Sequence, residues 1–510
     1  MRATPVRIPV RSPKRQRSGT KFDLRGTKVV EGRQTPLKIL EQVTNTGPRG
    51  SHPKQEPFAF WDLPSEATVR EKPPEAVSEV SRAQFDRIVS AGASLSQREA
   101  GRQLWVVIGL DFGTSCTKVV ARMPYEAGEP TFAIPAPDYC RSAGHPYLWQ
   151  TVVWVRRSLE FTAYPEKGTR LLQTLKQGIM GMHPNAPVIQ GDGRQNDITR
   201  LDSVAAYLTY VIRYVRGWLM VNRPALFRGR LPIWFVNLGL AAAYYDNEIL
   251  FQTYRKAGST ALMLANSGEA VDVEAIRTVA AHEVVMKAAR SDSDAEGLGI
   301  AVIPETAASA TAFAKSTQSA TGLYLMVDVG AMTLDVCSFR LNKQHGGSDQ
   351  YPLLMVDVRP LGVEAYHWFR AKGRSEEGFD RQCRRCLGEV VVGTRDKRAP
   401  NNECWQTGNE FPVFLTGGGS QNPLHREIIE ALHQWIKRYS RNEGLRLLEL
   451  SMPKTIDLPE PLPDLGRMAV AIGLSYPRTE IGKITLPSDI DDIEQRSKDY
   501  LSKFISKDQT

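Results

Sequence analysis

Two stretches of this chain repeat one design, and the repeat constrains the fold more than any other feature. Residues 104 to 123 read Leu-Trp-Val-Val-Ile-Gly-Leu-Asp-Phe-Gly-Thr-Ser-Cys-Thr-Lys-Val-Val-Ala-Arg-Met. An apolar run enters Asp111, a small polar turn follows, and a β-branched run leaves, which is the pattern of two strands joined by a tight loop. Residues 323 to 341 repeat it: an apolar strand into Asp328, then Gly330, a hydroxyl at Thr333 and an alternating strand. Both loops have the chemistry of a phosphate cradle. Gly113 lets backbone N–H groups approach an anion, Thr114 and Ser115 add hydroxyl donors, and Lys118 adds a cation. Asp111 at the end of a buried strand suits the waters of a Mg²⁺ ion. The duplication implies two similar lobes whose loops face one nucleotide.

The rest of the chain sets bounds on that reading. At 510 residues with 42% hydrophobic content it is long enough for two or three compact domains. The first fifty positions hold 12 basic and 3 acidic residues of the 65 and 56 in total, so they carry +9 and the remaining 53 against 53 balance. That segment is rich in proline and polar residues, and residues 1–78 are expected to be a disordered basic leader. Residues 1–50 have the charge to meet nucleic acid or an anionic surface. The longest apolar stretch, Leu231 to Tyr245, falls short of the roughly 20 residues that span a bilayer, so no membrane span is expected. Six cysteines and no secretory signal pattern point to a reducing, cytoplasmic setting.

Along the chain, residues 79–100 are expected to form a short helix and linker, with Val80, Phe85, Ile88 and Val89 on one side. A first lobe is expected over 101–300 with an outgrowth at 123–230, and a second over 301–485 with a reduced outgrowth at 370–410. A C-terminal helix and tail would occupy 486–510. Helices are expected at 170–181, 201–221, from about 245 to 257, at 272–290 and at 424–439. Residues 291–297 read as an exposed loop and 370–410 as irregular, and Cys383, Cys386 and Cys404 form an incomplete zinc pattern. Glu305 ends a strand before a helix of small residues, where it can point into the same cleft as the second loop. Gly417, Gly418 and Gly419 form a strand-to-helix turn that permits close contact with a flat or anionic ligand.

Taken together, these pieces resemble the actin-like ATPase superfamily, and most closely the ATPase domain of the heat shock protein 70 (DnaK-type) chaperones. Gly109-Leu-Asp-Phe-Gly-Thr-Ser-Cys-Thr resembles the family's first phosphate motif and Asp328-Val-Gly-Ala-Met-Thr-Leu-Asp its second. Pro304-Glu-Thr-Ala-Ala-Ser-Ala resembles the first connecting motif, Leu415-Thr-Gly-Gly-Gly-Ser-Gln-Asn-Pro the adenosine motif, and Met468-Ala-Val-Ala-Ile-Gly the second connecting helix. The resemblance implies an α/β, two-lobed fold of duplicated ribonuclease-H-like domains with MgATP in the cleft. It further implies that Asp111 and Asp328 position Mg²⁺ through waters and that Thr114, Ser115 and Thr333 hold phosphates. Glu305 would orient or deprotonate the attacking water, the three glycines would pack against the nucleoside, and Lys118 or the active-site lysine, Lys176, would supply a cation.

The chain also departs from the family. Ala331 and Met332 stand where chaperones carry glycines, so Met332 is expected to narrow the phosphate site and slow turnover. Roughly 35 residues follow the second connecting helix, so a peptide-binding domain is not expected. The implied function is a weak Mg-dependent ATPase that acts as a nucleotide-dependent conformational switch on a protein partner. Two alternatives remain open: a sugar-type small-molecule kinase, with Asp246 as its acceptor carboxylate, and a nucleotide-binding scaffold or filament protein.

Overall fold

The structure, a computed structural model, describes residues 77–93, 101–181, 184–189, 197–241, 247–316, 319–343, 350–449, 455–462, 465–481 and 485–492. All of them belong to one compact unit, Pro57–Thr510. The expected leader up to residue 76, Asp246 and the tail from 493 lie outside the described residues.

The chain enters through α1 (Glu79–Ala93), which buries Phe85 and Ile88. Val80 is 78% exposed, contrary to the expectation that it would share their face. The hairpin β1 (Arg102–Asp111) and β2 (Cys116–Arg122) follows, with β3 (Thr131–Ala133) antiparallel to β2. Residues Arg170–Leu172 are a strand, paired with Val153–Val155, rather than the start of a helix. Arg170 and Leu171 are exposed and Leu172 is buried, and the helix α2 begins only at Leu175 and runs to Gly181. The long α3 (Arg200–Asn222) starts at a capping box in which Thr199 and Asp202 satisfy each other's backbone donors. It meets α1 at a glycine-to-glycine crossing: a Cβ on Gly92 would lie 1.8 Å from the Arg213 carbonyl, and one on Gly217 would lie 1.7 Å from that of Ile88.

β4 (Arg230–Leu240) runs parallel to β1, and α4 (Glu248–Ser267) follows it, capped by Asn247 and ended by Gly268 at φ 72°. The single helix expected over 272–290 is two, Val273–Ala281 and Glu283–Arg290, because His282 adopts extended backbone (ψ 139°) and caps the second. Its successor, expected as a loop, is the helix Asp292–Leu298, which Ser291 caps. β5 (Ile300–Pro304) then runs parallel to β4 and leads into α5 (Glu305–Ala314).

The second half repeats this scheme. β6 (Gly322–Val329) and β7 (Leu334–Leu341) form the hairpin, and β8 (Leu353–Arg359) lies antiparallel to β7. Next come α6 (Val363–Ala371) and α7 (Glu376–Gly393). α7 replaces the first part of the irregular segment expected at 370–410, and residues 399–410 stay irregular but for one 3-10 turn, Glu403–Trp405. Its Phe379, Cys383, Cys386, Leu387 and Val390 recur at helical spacing and are buried, while Arg384, the charge on that side, is paired with Asp380 at 2.9 Å. Cys383, Cys386 and Cys404 therefore serve as core residues, their thiols pushed up by burial. Among the described residues no group of three or more His, Cys, Asp or Glu side chains is placed to hold a metal. β9 (Phe411–Thr416) is parallel to β6, α8 (Pro423–Ser440) follows, and β10 (Leu445–Leu448) is parallel to β9. The chain returns through α9 (Ala469–Leu474).

Two mixed sheets thus share one strand order and sense. The larger runs β5-β4-β1-β2-β3 and extends to seven strands with Ile456–Asp457 and Trp149–Gln150; the smaller runs β8-β7-β6-β9-β10. In each, an antiparallel three-strand meander adjoins two further strands parallel to its first. α5 and α9 cross between them, and there Gly473 is so close to α5 that a Cβ would lie 1.7 Å from the Ala308 carbonyl. Gly109 on β1 admits the other face of α9, where a Cβ would meet the Ala471 carbonyl at 2.4 Å. No helix among the described residues is long and apolar enough to cross a membrane.

Candidate functional site

The two hairpins end at opposite walls of a cleft of about 280 Å³. From the first come Asp111, Gly113, Thr114, Ser115 and Lys118; from the second, Asp328, Gly330 and Thr333. Lys176 enters from α2, Glu305 from the first position of α5, and Gly417, Gly418 and Gly419 from the turn after β9. Every residue singled out in the sequence for a nucleotide, metal or catalytic role among these elements lines this one cleft. Asp246, the candidate acceptor carboxylate, lies outside the described residues.

Hairpin register decides what each aspartate faces. Asp111 pairs across the strands with Lys118, and the two side chains form an ion pair at 2.8 Å. Burial works against the Lys118 charge, but Asp111 more than offsets it and holds the ammonium above its ordinary value. Asp328 pairs instead with Asp335, seven residues on as Lys118 is from Asp111. Loss of hydration at the cleft floor pushes Asp328 up to about 6, with Lys118 opposing and Asp111 adding to the shift. Asp335 is pushed up further, by burial first and then by Asp328 and Glu305, and its Oδ1 has no hydrogen-bond partner among the described residues. Two carboxyls on facing positions cannot both ionise cheaply, and each raises the value of the other.

Lys176 donates to Glu305 Oε1 at 2.6 Å. Burial works against the Lys176 charge; the Glu305 carboxylate outweighs it and holds the ammonium above its ordinary value. Gly239 makes room for Glu305, since a Cβ there would come within 2.9 Å of its Cγ. The glycine turn fits the same logic. Gly417 takes the left-handed φ of 87°, and a Cβ on it would lie 2.1 Å from Asp328 Oδ1, so any side chain here would displace the aspartate. Gly419 donates its N–H to the Val329 carbonyl at 2.7 Å, tying the turn to the second hairpin.

Two lining residues carry no signal in the local sequence, and a third, Asp335, carries only a partial one. Glu364, in the first turn of α6, accepts from Ser115 Oγ at 3.0 Å and so links the two hairpin loops across the cleft. Arg467 comes from the turn just before α9 and lies over Gly418. Asp335 was legible only as the second acid of its motif; counting the hairpin register against Lys118 would have found it. Met332 does line the cleft, buried, and its carbonyl accepts from Gly362 at the start of α6.

The donor set fits magnesium rather than a softer ion. Asp111 and Asp328 offer hard oxygens from two walls, and Mg²⁺ commonly keeps its waters and takes only one or two carboxylates plus phosphate oxygens. In the glycine turn the space a Cβ would need is already taken by the protein, by Asp328 at Gly417, Arg467 at Gly418 and Val363 at Gly419. No protein-family model matches the chain, and no curated protein matches it.

Proposed function

We propose that the chain is a heat-shock-70-like, Mg-dependent ATP-binding and hydrolysing protein that acts in the cytoplasm as a nucleotide-dependent switch on a protein partner. The observation that carries this reading is the pair of hairpins, equal in topology, that deliver Asp111 and Asp328 to one cleft together with Glu305 and Lys176. The two sheets would be the ribonuclease-H-like halves of a two-lobed, actin-like ATPase, and the α5–α9 crossing its hinge.

In this reading Thr114, Ser115 and Thr333 bind phosphate oxygens with their hydroxyls, and the Gly417–Gly419 turn packs against the nucleoside. Asp111 and Asp328 would hold a magnesium ion, which would supply charge neutralisation for the triphosphate. Glu305 orients the attacking water and accepts its proton. Lys176, held at Glu305, keeps that carboxylate in place and adds positive charge where the transition state gathers negative charge. Met332 in the cleft and both lysines already engaged by carboxylates favour slow turnover. The nucleotide then works chiefly by moving the two halves. The basic residues 1–50 would recruit nucleic acid, an anionic surface or an acidic partner.

Saturating MgATP should raise the melting temperature by several degrees, since a ligand at a hundredfold excess over its Kd stabilises by about 2.7 kcal/mol. Melting that is unchanged by ATP, ADP and GTP, each with magnesium, overturns the reading.

A further inference from the structure

The cleft is short of uncommitted positive charge. Five acidic side chains line it, Asp111, Glu305, Asp328, Asp335 and Glu364, against three cations, Lys118, Lys176 and Arg467. Lys118 is bound to Asp111 and Lys176 to Glu305. Arg467 alone of the three makes no ion pair among the described residues, and its Nε is buried with no hydrogen-bond partner there. Its guanidinium rests on bare backbone: a Cβ on Gly418 would lie 2.6 Å from Nη2 and 3.3 Å from Cζ. Gly418 thus leaves room for the head group inside the cleft instead of turning it out to solvent.

A half-buried guanidinium with an unmet donor is a costly arrangement unless something completes it. Its planar fork matches an oxyanion such as phosphate, which a lysine would meet only as a point charge. We propose that Arg467 is the phosphate-recognition residue of the cleft, the charge that makes it select nucleotides over nucleosides. This rests on the nucleotide reading and adds a residue to it that none of the sequence motifs assigns. The position also ties recognition to the rest of the fold, because Arg467 lies in the 3-10 turn Leu465–Met468 that leads into α9, which touches both β1 and α5. A phosphate drawn to Arg467 pulls on the element that joins the two sheets.

The test compares the full chain with Arg467→Ala and Arg467→Gln by calorimetric titration with MgADP and with adenosine, after melting shows that each variant folds. The proposal expects both variants to bind MgADP roughly tenfold to a hundredfold more weakly and to lose clearly less of their adenosine affinity. Arg467→Lys should recover part of the loss. Variants that bind MgADP as tightly as wild type, or that lose adenosine in equal measure, overturn it. A wild-type chain that binds neither ligand overturns the nucleotide reading itself, and this inference falls with it. Should the alanine and glutamine variants not fold, Arg467→Lys decides alone: unchanged MgADP affinity overturns the proposal and a selective loss against adenosine supports it.

Discussion

Asp111 and Asp328 occupy equivalent places in two hairpins, yet one faces an ammonium and the other a second carboxyl. Equivalent backbone positions therefore hold different charges, and Asp328, pushed up to about 6, is the one that titrates near neutrality. A carboxyl whose value is raised in the fold favours its protonated form there. Its contribution to stability is complete below the ordinary aspartate range near 4 and is lost as pH rises through about 6. Asp328→Asn removes that loss. The variant should gain melting temperature over wild type progressively from about pH 4 to about pH 6, with the difference level above that, as followed by thermal melts in apo protein. The same proton competes with metal, so magnesium-dependent binding in the wild type should weaken below about pH 6. Of these residues, both aspartates and Lys118 were legible from their place at the strand ends. The upward push on Asp335 was not, because it comes first from burial and then from Asp328 and Glu305, the last on another element.

Helices in this protein meet where side chains are missing. α1 crosses α3 at Gly92 and Gly217, and α5 crosses α9 at Ala308 and Gly473. At the second crossing a methyl group would sit 1.7 Å from a backbone oxygen, which only a shift of one helix can relieve. Gly473→Ala should cost at least roughly 1–3 kcal/mol, read as a lowered melting temperature, and any remaining MgATP stabilisation should be reduced because the crossing lies between the two sheets. Elements with clean periodicity and turn chemistry, such as the hairpins and α3, could be read from the sequence. α7 could not, although its apolar residues recur at helical spacing, because Arg381, Arg384 and Arg385 give the segment the charge density of a loop. In the fold Arg384 is neutralised by Asp380 one turn away, and the stripe beneath becomes core. The break at His282 is equally local in form but tertiary in cause, since Val273–Ala281 and Glu283–Arg290 bury different faces.

At the scale of the molecule, charge and fold are separated along the chain. The first fifty residues carry the whole +9 and the remaining 460 are neutral, 53 against 53. A variant that begins at Pro57, where the compact unit starts, should keep the wild-type melting transition and its response to MgATP while losing affinity for heparin or nucleic acid at low salt. Loss of cooperative melting on truncation would show that the leader is part of the fold. The sequence by itself determined the two hairpins, the residue types of their loops and the glycine turn, because strands and turns are made by neighbours a few residues apart. Only the tertiary structure decided that Lys176 meets Glu305, that Glu364 meets Ser115 and that Arg467 is left over Gly418. Those pairings join residues 49 to 249 positions apart. No periodicity records them, because they follow from how the elements pack around one cleft and which charges that packing removes from water.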